Sequence, residues 1–300
     1  MKTRTIVSTL ALAAATALAL AGCSTSSAGS GDGTLRVVAS TNVYGGIART
    51  IGGGAVHVTS LMDDPAQDPH SFEASAQNQL AVSKADVVIE NGGGYDDFMH
   101  TLVKGSKNDA TVLDVVQLSG KKPVGGEFNE HVWYDFPTVA KLASALSAAL
   151  AKADPSQKTV FEKNAAAFTQ KLTTLQQSAA RLKAQYAGDG VAITEPVPLY
   201  LLDAVGLVNR TPEKFSAAIE EENDVSPVVL KDTLALFSEH RVKLLAYNEQ
   251  TTGAETERVL AAAKSNGIPV VPVTETLPAG KSYIEWMRAN VDAVGAALAK

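Results

Sequence analysis

The sequence predicts an α/β fold of two lobes, each with a mainly parallel β-sheet flanked by helices, joined by one long rigid α-helix. Short β-branched runs alternate with helical patterns in both halves of the chain. Between the halves, one apolar stripe of helical spacing runs from Phe161 to Tyr186. Each run is far too short to span a membrane, so the strands belong in buried sheets.

Lys2 and Arg4 precede an apolar run from Ile6 to Leu20, after which come Ala21, Gly22 and Cys23. The run is shorter than the ~20 residues of a membrane helix, and the small residues that follow suit a processing site, so 1–22 reads as a signal peptide. The stretch resembles a bacterial lipobox, which implies cleavage before Cys23 and acylation of its thiol. Each buried methylene of an acyl chain contributes about 0.8 kcal/mol, so a diacylated Cys23 anchors the protein to a membrane. Residues 23–33 are almost entirely Ser, Gly, Ala and Thr after the cysteine and read as a flexible tether.

The first lobe is expected over 34–154, with strands at Leu35 to Ala39, Val56 to Leu61, Asp86 to Glu90 and Thr111 to Val116, and helices at Ala76 to Lys84 and 137–152. Glycines 92 to 94 lack the spaced glycines and lysine of a phosphate loop and read as a turn after a strand. The linking helix, 155–187, carries Phe161, Phe168, Leu172, Leu175, Ala179, Leu182 and Tyr186 on one stripe. Asp154 suits its N-cap, Pro155 its first position and Gly188 its end. At 1.5 Å per residue the rod is roughly 45 to 50 Å long; the alternative is two helices with a break near Asn164 to Ala167. The second lobe, 188–300, offers strands at Val191 to Thr194, Val242 to Tyr247 and Pro269 to Val273, and helices at Pro227 to Glu239 and Ala254 to Ser265.

With Cys23 as its single cysteine, the chain forms no internal disulfide, and stability comes from packing. Without Lys2 and Arg4, 24 basic residues face 32 acidic ones, a net charge of −8 with neutral histidines. That balance argues against nucleic acid as a partner and favours a cation.

Of the five histidines, two lie in loops at the ends of first-lobe elements. His70 follows the strand ending near Leu61, in a loop restricted by Pro65 and Pro69. His131 follows a turn-rich segment and precedes Trp133 and Tyr134. In the second half, Glu195 and Glu275 each sit at the carboxyl end of a strand, where ligands of open α/β sheets bind. Two lobes facing one another place all four around one cleft, and imidazole nitrogen with carboxylate oxygen suits zinc or manganese. His57, His100 and His240 fall outside that cluster.

The segments Asp68-Pro69-His70 with Phe72 and Glu73, and His131-Val132-Trp133, resemble the two histidine motifs of the zinc and manganese solute-binding lipoproteins of ABC importers. Ala85-Asp86-Val87-Val88 with Asn91-Gly92, the helix after Asp154-Pro155, Glu222-Asn223 with Ser226-Pro227, and Ser282-Tyr283 extend the resemblance over the mature chain. It implies a metal in the interlobe cleft, held by His70, His131, Glu195 and Glu275. It also implies a monomeric, non-enzymatic, lipid-anchored extracytoplasmic protein that delivers one Zn2+ or Mn2+ to a cognate ABC permease. The third position is His in many zinc-type relatives and Glu in many manganese-type ones. The fourth is usually Asp, where this chain has Glu275. Gln117 to Glu130 contains no histidine, unlike the His-rich loop of many zinc-type members, which tilts the expectation toward manganese.

Two other readings use the same residues. A metal-dependent hydrolase needs an open coordination position and a general base, and the chain has no His-Glu-x-x-His helix. A surface adhesin or iron-chelate-binding protein is permitted by a long interlobe helix, but chelates call for a wide aromatic or basic pocket.

Overall fold

In the computed structural model, residues 34–64, 72–123 and 128–300 are described, and residues 34–300 form one compact unit. The signal-peptide, tether and Cys23 readings, and His70, lie outside the described residues.

Two four-stranded, wholly parallel sheets build the two lobes. The first contains β1 (Leu35–Thr41), β2 (Val56–Met62), β3 (Val87–Glu90) and β4 (Thr111–Asp114), in the order β2-β1-β3-β4. The second contains β5 (Gly190–Ile193), β6 (Val208–Asn209), β7 (Leu244–Asn248) and β8 (Val270–Val273), in the order β6-β5-β7-β8. The lobes therefore share one topology, with chain direction switching beside β1 and beside β5. Parallel strands require crossovers, and the helices that supply them cover both faces.

Period two decides which face each side chain meets. Val37, Ala39, Val87 and Ile89 join the large core beneath α1 (Asn42–Gly52), while Val38 and Val88 meet the other face, against α2 (Ala76–Val82) and α3 (Asp97–Ser106). The predicted last strand of this sheet ends early, at Asp114. That carboxylate accepts the Gln117 N–H at 2.8 Å and starts a short helix, α4 (Val115–Ser119). After it comes α5 (Phe136–Ala153), with Asp135 as N-cap and Pro137 in the first turn.

The linking helix is α6 (Lys158–Tyr186), 29 residues without a break, about 43 Å long. It begins slightly later than the sequence suggests, because Pro155–Gln157 form a tight turn in which Asp154 Oδ1 accepts the Ser156 N–H at 3.0 Å. Its buried stripe runs Phe161, Ala165, Phe168, Leu172, Leu175, Ala179. The first five side chains join the first-lobe core and Ala179 the second-lobe core, so one helix face is shared between lobes.

The second lobe adds α7 (Leu199–Val205), α8 (Glu213–Glu220), α9 (Pro227–Ser238), α10 (Ala254–Ser265) and α11 (Tyr283–Leu298). Val191, Ile193, Leu244 and Ala246 face α6 and α11, and Ala192, Leu245 and Tyr247 face Phe215 of α8, Phe237 of α9 and Val259 of α10. The last helix returns across the molecule: Tyr283, Trp286, Met287 and Val291 are buried in the first-lobe core. Among the described residues no helix is long and apolar enough to cross a membrane.

Candidate metal centre

His131 is fully buried, and its geometry is set by its own neighbourhood. Asn129 Oδ1 accepts the His131 backbone N–H at 3.1 Å and lies 2.8 Å from its Nδ1. Asn129 is itself fixed, donating to Pro196 O at 3.2 Å while its carbonyl accepts the Tyr200 hydroxyl at 2.7 Å. Because that amide oxygen can only accept, Nδ1 bears a proton, and Nε2 is the ring nitrogen that faces the cleft. Trp133 and Tyr95 wall the imidazole edge-on, with centroids 5.0 and 5.9 Å away.

Facing Nε2 are two carboxylates of the second lobe. Glu220 Oε1 is 3.2 Å away and Glu275 Oε2 3.9 Å. Glu275 follows β8, as expected, and is buried. Asn248 at the end of β7 donates to its Oε1 at 2.9 Å, and the Tyr95 hydroxyl donates to its Oε2 at 3.2 Å. Burial, then the nearby Glu275 charge, push the Tyr95 pKa well up, so the phenol stays a donor. The flanking chain is tied to the first lobe as well. Tyr134 donates to Thr274 O at 2.7 Å, and Asn42 makes two amide hydrogen bonds with the Leu277 backbone, at 2.8 and 3.0 Å.

Tyr95 reaches this position through the predicted glycine turn. Gly92, Gly93 and Gly94 have φ of +75°, +71° and +101°, a run of left-handed conformations that glycine alone adopts freely. A Cβ on Gly92 would lie 2.6 Å from the Asp114 carboxylate. Asp96 closes the turn by accepting the Asn91 and Gly92 N–H groups at 2.6 and 2.8 Å.

Glu195 is 2 % exposed at the carboxyl end of β5, beside the switch point of the second sheet. Thr194 before it accepts the Asn248 N–H through its side chain at 2.9 Å, which ties the ends of β5 and β7 together. His57, His100 and His240 are exposed and lie apart from this cluster: in β2, in α3 and just past α9.

Sequence reasoning missed two carboxylates. Glu220 closes α8, and Glu130 directly precedes His131; one ligand atom from each, with one from His131, lie within 4.8 Å of one another. Glu220 had a weak signal, since it follows the buried Ser216 by four residues on a helix anchored by Phe215 and Ile219. Taken together, the described residues bring an imidazole nitrogen and hard carboxylate oxygens close to one another, a donor set for a borderline or hard divalent cation.

A separate acidic group lies where β3 ends. Burial, then Asp96, Asp114 and Asp97, push the half-buried Glu90 up to about 7 from its ordinary 4.5. A carboxyl whose native pKa is raised contributes stability that is complete below about 4.5 and lost as pH rises through about 7. Glu90→Gln is therefore expected to raise the thermal midpoint over wild type at pH 8 and to change it little at pH 4. Equal midpoints at pH 8 in differential scanning fluorimetry contradict this.

The family described as ZnuA, zinc-uptake complex component A periplasmic, matches residues 37–297. The chain belongs to this family. Among relatives of the ZnuA-family chain is the manganese ABC transporter substrate-binding lipoprotein scaA of Streptococcus gordonii, 25% identical over 286 residues and covering 89% of each chain. The manganese ABC transporter substrate-binding lipoprotein PsaA of Streptococcus pneumoniae matches at 25% over the same shares. Two solved structures share the fold. The periplasmic zinc binding protein TroA from Treponema pallidum has a TM-score of 0.75 and 22% identity, covering 89% of this chain and 100% of its own. FpvC from Pseudomonas aeruginosa, in complex with Mn2+, has a TM-score of 0.73 and 21% identity, covering 89% and 98%. Family and fold thus agree with the resemblance carried by the histidine motifs.

Proposed function

We propose that this chain is an extracytoplasmic binding protein that captures one Mn2+ or Zn2+ ion and delivers it to a cognate ABC permease. The observation behind this reading is the fully buried His131, whose Nε2 faces second-lobe carboxylates at 3.2 and 3.9 Å. Its curated relatives are named as manganese or metal ABC transporter substrate-binding lipoproteins, which supports the same reading. The ligands proposed are His70, His131, Glu195 and Glu275. A family of uptake components favours capture and transfer over catalysis, so we assign no enzymatic activity. Calorimetric titration of the metal-stripped protein is expected to give one site per chain for Mn2+ and Zn2+, with light scattering giving a monomer. No heat with either ion overturns the assignment.

Residues 1–22 act as the signal peptide in this reading, and acylated Cys23 holds the protein on the membrane through the 23–33 tether. Cys23→Ala is expected to move the protein from the membrane fraction to the soluble one and to abolish labelling by a radioactive fatty acid. Unchanged membrane retention removes the lipid anchor from the assignment.

A further inference from the structure

Glu220 belongs to none of the motifs that point to the site, yet its carboxylate is the second-lobe group nearest His131 Nε2. An imidazole lone pair and a carboxylate oxygen are both electron donors, and such pairs sit edge to edge when a cation binds between them. For bonds of about 2.1 Å, a nitrogen–oxygen edge is about 3.0 Å at a right angle and about 3.4 Å at the tetrahedral angle. The 3.2 Å between His131 Nε2 and Glu220 Oε1 lies between these values. Glu275 Oε2, at 3.9 Å, corresponds to a wider angle on the same ion.

The local fold aims Glu220 inward. Phe215 and Ile219 bury one face of α8 in the second-lobe core, and Glu222, at φ +54°, ends the helical path just beyond Glu220. The Glu220 side chain is 12% exposed, whereas Glu221 and Glu222 are exposed to solvent.

We infer that Glu220 is a further metal ligand, an oxygen donor from α8 that sets the preference of the site for manganese over zinc. The inference rests on the metal-binding reading above. A third carboxylate beside Glu195 and Glu275 makes the donor set richer in hard oxygen and raises its coordination number above four. Both changes suit Mn2+, whereas Zn2+ is satisfied by four ligands that include imidazole.

Glu220→Gln, Glu220→Asp and Glu275→Gln, each metal-stripped, are titrated with Mn2+ and with Zn2+ by calorimetry. The Mn2+ forms are followed by electron paramagnetic resonance, and the apo forms by thermal unfolding. Glu220→Gln is expected to weaken Mn2+ binding at least tenfold, to weaken Zn2+ binding less, and to change the Mn2+ resonance with the apo midpoint unchanged. Glu220→Asp, which keeps the charge, retains more Mn2+ affinity than Glu220→Gln. If both Glu220 variants bind both ions with wild-type affinity and spectrum while Glu275→Gln loses affinity, Glu220 is not a ligand and the metal site stands. If wild type binds neither ion, or Glu275→Gln also matches wild type, the metal-binding reading of this cleft falls first.

Discussion

His131→Ala is expected to lower affinity for Mn2+ and Zn2+ by at least a hundredfold, beyond the ~10- to 100-fold loss typical when only a group supporting a ligand is removed. The reason is geometric. His131 Nε2 is the described nitrogen that faces both Glu220 and Glu275, and without it their carboxylates surround a cation with no imidazole from this loop. Water entering the vacated space is a weaker and unpositioned donor, whereas the imidazole is fully buried and held by Asn129. His57→Ala, His100→Ala and His240→Ala, all at exposed positions, serve as controls and should bind as wild type does. Calorimetric titration of the four variants decides the matter. A His131→Ala protein with wild-type affinity removes His131 from the site.

Phe168→Ala is expected to destabilise the protein by about 3–5 kcal/mol, the range for deleting a buried aromatic ring. Phe168 is 2 % exposed in the middle of α6, and its ring lies 5.9 Å from that of Tyr283 at the start of α11. Tyr283 in turn donates to the Trp133 carbonyl at 2.6 Å, two residues from His131. Truncation therefore opens a cavity where the linking helix, the returning last helix and the histidine loop converge. Lys171→Ala, on the exposed side of the same helix, is the control for helix propensity and should change stability little. Urea unfolding of apo proteins measures both. A Phe168→Ala loss below about 1 kcal/mol shows that the rod contributes little to joining the lobes.

Local chemistry in the sequence was sufficient for the alternating strands and helices, the continuous linking helix and the glycine turn. Each depends on contacts or backbone preferences within a few residues: β-branched runs, a 3.6-residue stripe from Phe161 to Ala179, and three consecutive glycines. The places of Glu195 and Glu275 just after β5 and β8 were legible for the same reason, since position after a strand end is a property of sequence order. His131 was legible from its loop and aromatic neighbours, although its tautomer was not.

Tertiary structure alone decided which groups meet. Glu220 sits on a helix, away from any strand end, and its distance to His131 depends on how the second lobe faces the first, the two residues lying 89 positions apart in the chain. Tyr95 reaches Glu275 from 180 residues away, and Asn42 reaches Leu277 from 235. Likewise, the burial of α11 in the first-lobe core follows from packing of the whole chain, as the helix's own periodicity names a buried face but no partner. A sequence records which side chains prefer burial or can donate to a metal. Only the packed lobes fix the ångström separations that bring a buried imidazole and scattered carboxylates together.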